Sequence, residues 1–147
     1  METKTYPVLN EIFELTLDGS APENQPLEMV RADGCDPRGW KHDGPTVKGT
    51  ESRRGKLVSV GYCRGWQELE RKLKAHGELP EGQWREAFKA RYPTLDGNGP
   101  IGFADRSWSV PSERRFFPYV SSAGESSFYW FDDGVHGFWR WFVLVAE

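Results

Sequence analysis

Cysteine and histidine are scarce in this sequence. Of 147 residues, two are cysteine and three are histidine. Cys35 and Cys63 cannot build a disulfide framework, and no CxxC spacing offers zinc a site, so both are expected as reduced, partly buried thiols. There is no GxSxG elbow, no P-loop and no dinucleotide fingerprint. The three histidines are dispersed, and no spacing assembles a Ser-His-Asp set. The net charge is −3, so no basic field invites nucleic acid. The pairs Arg53-Arg54 and Arg114-Arg115 read as solvated surface. No apolar run approaches the roughly 18 residues of a membrane span. The opening "METKTYPVLNEIFEL" has no basic segment followed by an apolar one, so no signal peptide is read and cytoplasmic synthesis is expected.

What the sequence has in excess is aromatic rings: 14% of the chain, with seven tryptophans. A chain of this length is expected to form one domain, residues 1–147, with a sizeable core. "FELTL" alternates, with Phe13, Leu15 and Leu17 on one face of a strand. "LEMVRAD" is a weaker strand candidate. Residues 34–55, rich in Gly, Pro and charge, read as a long loop, with His42-Asp43 at its surface. "KLVSVGYC" follows as a strand. In "GWQELERKLKAHG", the spacing of Trp66, Leu69 and Leu73 predicts a helix stopped by Gly77, with His76 well placed against the helix dipole. "LPEGQWREAFKARYP" predicts a second helix with Trp84, Ala87, Phe88 and Arg91 on one stripe, ended by Pro93. The Asp96–Gly99 stretch "DGNG" is a turn that lacks the distal Glu of a calcium loop.

Beyond Pro100 the character changes. "SWSV", "RRFFPYV", "SFYWF" and "FWRWFVLVA" are short strand candidates between turns. The last is apolar on both faces, which predicts a central strand covered on both sides. Phe116, Trp141, Phe142 and Leu144 are expected in the core. The fold class is therefore α+β, with residues 1–100 a scaffold carrying two helices and residues 101–147 an antiparallel strand region.

This last third holds 13 of the 21 aromatics and seven of the ten serines, yet no lysine and no asparagine. Rings offer contact area at low entropy cost, and Ser and Gly offer adaptable hydrogen bonds. That composition points to a surface that binds a protein or other macromolecular ligand, with no cofactor. The candidate ligand-binding residues are Tyr119, Ser121, Ser122, Ser126, Ser127, Tyr129, Trp130, Asp132, Asp133 and His136. Alternation along a strand predicts that one of Tyr129 and Trp130 faces the core. Two other readings stay open. Asp132, Asp133 and His136, with Asp105, could serve a small metal-dependent enzyme. The chain could also be a phage or mobile-element inhibitor with one fixed partner.

The run "GQWREAFKARYPTLDGNGPIGFADRSW", followed by "RRFFPYV" and "GFWRWFVLV", resembles the target (variable) proteins of diversity-generating retroelements, over residues 66–147. That resemblance implies a C-type-lectin-like fold, two helices followed by a C-terminal strand and loop region. It also implies that adenine-directed mutagenesis rewrites chosen C-terminal codons, usually Asn codons, into Tyr, Ser, Asp, Gly, His, Phe or Arg. The lack of Asn after residue 100 agrees with such a history. The same fold includes formylglycine-generating enzymes, which use a copper-binding cysteine pair. Cys35 and Cys63 both precede the helices, away from the strands that would carry such a pair.

Overall fold

In a computed structural model, residues 6–94, 98–111, 114–130 and 135–146 are described. They form a mixed α+β structure of eight strands and three helices. The strands are β1 (Phe13–Asp18), β2 (Lys41–His42), β3 (Thr50–Val58), β4 (Ile101–Phe103), β5 (Trp108–Ser109), β6 (Arg115–Val120), β7 (Ser126–Trp130) and β8 (Arg140–Leu144). The helices are α1 (Pro26–Ala32), α2 (Trp66–Lys74) and α3 (Trp84–Arg91). The sheet runs β1-β3-β8-β4-β6-β5-β2, and β7 pairs with the remaining edge of β6. Pairing is antiparallel except between β4 and β8. No helix among the described residues is long and apolar enough to cross a membrane.

The aromatic C-terminal strand organises the sheet. All five residues of β8 are buried, and it lies between β3 and β4, as its two apolar faces predict. Phe142 and Leu144 join Phe13, Leu15, Leu17, Trp84 and Phe88, so α3 covers one face. Trp141 and Val143 join Leu69 and Leu73, so α2 covers the other. Two glycines on the flanking strands make room for these rings. A Cβ on Gly55 would stand 2.5 Å from the Phe142 ring, and one on Gly102 would stand 2.4 Å from the Trp141 ring.

A smaller cluster of Met29, Val30 and Trp108 anchors α1, with Trp40, Phe116 and Phe128 packed against it. The stretch "LEMVRAD" is thus helix rather than strand. Pro26 stands at the helix start, where its missing N–H is not needed, and Met29 and Val30 turn inward together. The expected 34–55 loop is also more ordered than its composition suggests. Pro37–Gly39 makes a 3-10 turn, Lys41–His42 pairs with β5, and Thr50–Gly55 is the first part of β3. That strand reaches back to Thr50 because β1 supplies a partner for every residue from Thr50 to Gly55.

Both predicted helices form. Leu69 and Leu73 are buried on α2, as are Trp84, Ala87 and Phe88 on α3. Arg91 leaves the expected stripe and is exposed, its guanidinium over the Tyr92 ring at 5.4 Å. Phe116, expected in the core with Trp141, Phe142 and Leu144, is only half-buried.

Candidate functional site

The serine-rich stretch after β6 closes a tight hairpin. Ser121 N–H donates to the Glu125 carbonyl at 2.8 Å, and Gly124 N–H donates to the Ser121 carbonyl at 2.8 Å. Gly124 has φ 82°, a left-handed conformation that favours glycine. This is a three-residue loop with a bulge at the glycine. The Ser121 hydroxyl oxygen accepts from the N–H groups of Ala123 (3.2 Å) and Glu125 (3.1 Å), so it belongs to the turn itself.

The hairpin sets the register of β7. Val120 stands opposite Ser126, Tyr119 opposite Ser127, and Phe117 opposite Tyr129. On one face, Tyr119, Tyr129 and Trp139 form a ring cluster with centroids 5.1–6.1 Å apart, resting on Phe117. On the other face, the Arg114 guanidinium lies 3.8 Å above the Trp130 ring, and Phe128 packs against Trp40 and Trp108. Tyr129 is 39% exposed and Trp130 is 40% exposed. The expectation that one of the two is core therefore fails. They do point to opposite faces, but β7 pairs only with β6 among the described residues, and the neighbours of each ring leave about two-fifths of it exposed.

The ten candidate residues consequently do not share one face. Tyr119, Ser127 and Tyr129 lie on one side of the hairpin, Ser126 and Trp130 on the other, and Ser121 and Ser122 in the turn. His136 is exposed, its ring stacked on that of Phe138 at 5.4 Å. Asp132 and Asp133 fall outside the described residues. Asp105 is already engaged: it accepts from Gly82 N–H (2.7 Å), from Ser107 N–H (3.2 Å) and from the Ser107 hydroxyl. No group of three metal-ligating side chains assembles among the described residues.

One residue that sequence reasoning passed over positions this strand. Arg85 is fully buried on α3. Its guanidinium donates to both Asp33 carboxylate oxygens (2.8 and 3.1 Å), to Glu86 (2.9 Å) and to the Ser127 carbonyl in β7 (2.9 Å). It also lies 5.1 Å over the Phe128 ring. Burial pushes the Asp33 carboxyl above the usual carboxylate range, against the opposing pull of Arg85. The available signal was spacing. Arg85, Phe88 and Tyr92 recur at helical intervals, which places Arg85 on the inward side of α3.

A separate cleft of about 650 Å³ opens between α2 and the turn after β4, lined by Trp66, Glu70, Glu81, Asp105, Arg106 and Arg115 among others. Its charges are largely satisfied internally. Trp66 Nε1–H donates to Glu70 (3.2 Å), Trp84 Nε1–H donates to Glu81 (3.2 Å), Arg115 pairs with Asp43 (2.8 Å), and Arg106 lies over Trp66 at 4.9 Å. His42, expected at the surface, is half-buried with its ring 4.5 Å from that of Trp108. Burial lowers its pKa, while Asp105 and Asp43 act the other way. Both thiols are free. Cys35 is exposed, whereas Cys63 is buried and burial pushes its pKa up.

Comparison of the chain with protein-family models, with curated proteins and with solved structures finds no match.

Proposed function

We propose that the chain is a binding module that holds a protein or other macromolecular ligand on its β6–β7 hairpin, with a C-terminal face open to diversification, as in the target proteins of diversity-generating retroelements. The observation that carries this reading is the pair Tyr129 and Trp130. Two large rings, each about two-fifths exposed, stand side by side at the end of a strand that pairs only with β6 among the described residues. Exposed Trp, Tyr and Arg side chains are the residues that dominate interface energetics, and Arg114 stacks on one of these two rings. A C-type-lectin-like arrangement is part of the proposal. Its support is the element order, in which α2 and α3 precede the C-terminal strands and β8 closes the chain inside the sheet.

Sequencing many genomic copies of the locus tests the reading. The expected result is a near-repeat of the 3′ coding segment beside a reverse transcriptase, with substitutions gathered at exposed positions 122, 129 and 130 and half-buried positions 126 and 127. Buried Phe117, Val120, Trp139 and Trp141 should stay constant. An invariant C-terminus with no such repeat would refute diversification and favour a module that binds one fixed partner.

A further inference from the structure

We infer that β7 takes an extended, acidic segment of a partner protein as an added strand. The inference rests on the proposed role of the β6–β7 hairpin as the binding surface, and it names how the partner is held. Its first support is backbone direction. Ser121 and Glu125 form a hydrogen-bonded pair at the hairpin, so the bonded pairs recur at Tyr119–Ser127 and Phe117–Tyr129. The N–H and C=O groups of Ser126, Phe128 and Trp130 then point away from β6, along an edge that no other strand covers among the described residues. Pro118 fits the same phase. It stands opposite Phe128, at the gap on β6 between the stretch paired with β5 (Arg115, Phe116) and the stretch paired with β4 (Tyr119, Val120). Its missing N–H is not needed there. Such a row of unpaired groups is a template for an extended chain.

The second support is charge. Arg114 is exposed, has no carboxylate partner among the described residues, and its guanidinium carbon lies 3.8 Å from the centre of the Trp130 ring. A cation held over a ring face keeps its charge and its N–H donors for a further partner. In an added strand, the residue opposite Trp130 presents its side chain on the same sheet face as Trp130 and Arg114. A carboxylate at that position reaches those donors, whereas a lysine meets a like charge. The backbone edge supplies contacts that do not depend on which side chains occupy positions 126–130. Diversification could therefore tune selectivity without removing the anchor.

Amide hydrogen exchange of the free protein is the first arm of the test. Ser126, Phe128 and Trp130 amides should exchange fast and those of Ser127 and Tyr129 slowly. Slow exchange at Phe128 would mean the edge is already covered and would overturn the inference. The second arm is NMR titration with a capped synthetic nonapeptide of alternating Thr and Val carrying one central Glu, its Lys counterpart, and the Glu peptide N-methylated on alternate residues. The Glu peptide should perturb the Ser126, Phe128 and Trp130 amides most. The Lys and N-methylated peptides, and the variants Arg114→Glu and Ser126→Pro, should each bind about fivefold or more weakly. Equal binding of the Lys peptide, perturbation centred elsewhere, or no binding at all would overturn the inference. Scattered C-termini among genomic copies with no strand addition would leave the binding-module reading standing and remove this one. Strand addition with an invariant C-terminus would keep this inference and the binding surface and remove only diversification.

Discussion

Replacing Arg85 with methionine is the perturbation that most directly tests how the scaffold holds β7. The Arg85 side chain is 0% exposed and that of Asp33 is 4% exposed, so neither charge is screened by solvent. Methionine keeps the aliphatic bulk but leaves the Asp33 carboxylate buried without its guanidinium, and removes one donor from the Ser127 carbonyl. Removing one member of a buried pair destabilises by about 3–5 kcal/mol, because an uncompensated charge stays inside. Urea titration followed by circular dichroism at pH 7 should show a loss of that size. The double variant Arg85→Met, Asp33→Asn should recover about half of it, since neutral near-isosteres need no counter-charge. The pH dependence gives an independent check. Without Arg85, the folded-state pKa of Asp33 rises further above its unfolded value near 3.9. A raised folded pKa contributes stability that is full below the unfolded pKa and lost as pH rises through the folded one. The deficit of Arg85→Met should therefore narrow as pH falls from about 7 toward 5. A loss under about 1 kcal/mol that is the same at both pH values would refute the argument that the ion pair clamps the strand.

Three further outcomes follow from particular contacts. A thiol reagent should label Cys35 at once in the native protein and Cys63 only in denaturant, because Cys63 is buried with a raised pKa; rapid native labelling of both would contradict that placement. His42 has a lowered folded pKa, so it contributes stability above its unfolded value near 6.5 that is lost as pH falls through the folded value. The stability difference between wild type and His42→Gln should accordingly shrink between about pH 7 and 5, and a constant difference would place the ring in solvent. Gly102→Ala pushes a methyl into the Trp141 ring and should destabilise by about 1–3 kcal/mol, whereas Gly49→Ala, with open space around its Cβ, should be close to neutral; equal effects would refute the packing of Trp141 on β4.

The parts of the fold legible in the sequence are those whose periodicity reports burial directly. β1 alternates, α2 and α3 carry apolar stripes, and β8 is apolar on both faces and lies between two strands. The illegible parts owe their structure to partners distant in sequence. Thr50–Gly55 carries mainly polar side chains and becomes strand because β1 lies beside it. The three residues of β4 carry no pattern of their own, yet they bridge β8 and β6. In α1, "LEMV" reads as extended because the inward pair Met29 and Val30 is adjacent rather than spaced by a helical turn. Trp40, 10 residues downstream of Val30, and Trp108, 78 residues downstream, give that pair something to pack on. The same limit hid Arg85, whose role depends on Asp33 and Ser127. The proposed recognition surface rests on composition, and its geometry was not legible there. The aromatic and serine residues are where the composition placed them, but strand alternation divides them between two faces.

That division determines which candidate positions can change without loss of fold. Ser121 acts through its hydroxyl oxygen, which accepts two backbone N–H groups of the turn, so alanine there should destabilise by about 1 kcal/mol. Tyr119 is half-buried between Tyr129 and Trp139 and belongs to the packing of that face. Ser127 is different, because the scaffold reaches it through its carbonyl oxygen, which every residue type retains. Ser122 lies exposed in the loop, Ser126 is bound to the scaffold through neither hydroxyl nor ring among the described residues, and Tyr129 and Trp130 extend outward. A library randomised at positions 119, 121, 122, 126, 127, 129 and 130, sorted for protease resistance, should therefore retain broad variety at 122, 126, 127, 129 and 130. It should return Ser, Thr, Asp or Asn at 121 and an aromatic residue at 119. Free variation at 121, or a strict requirement for serine at 127, would show that the turn and the Arg85 clamp do not divide the labour in this way.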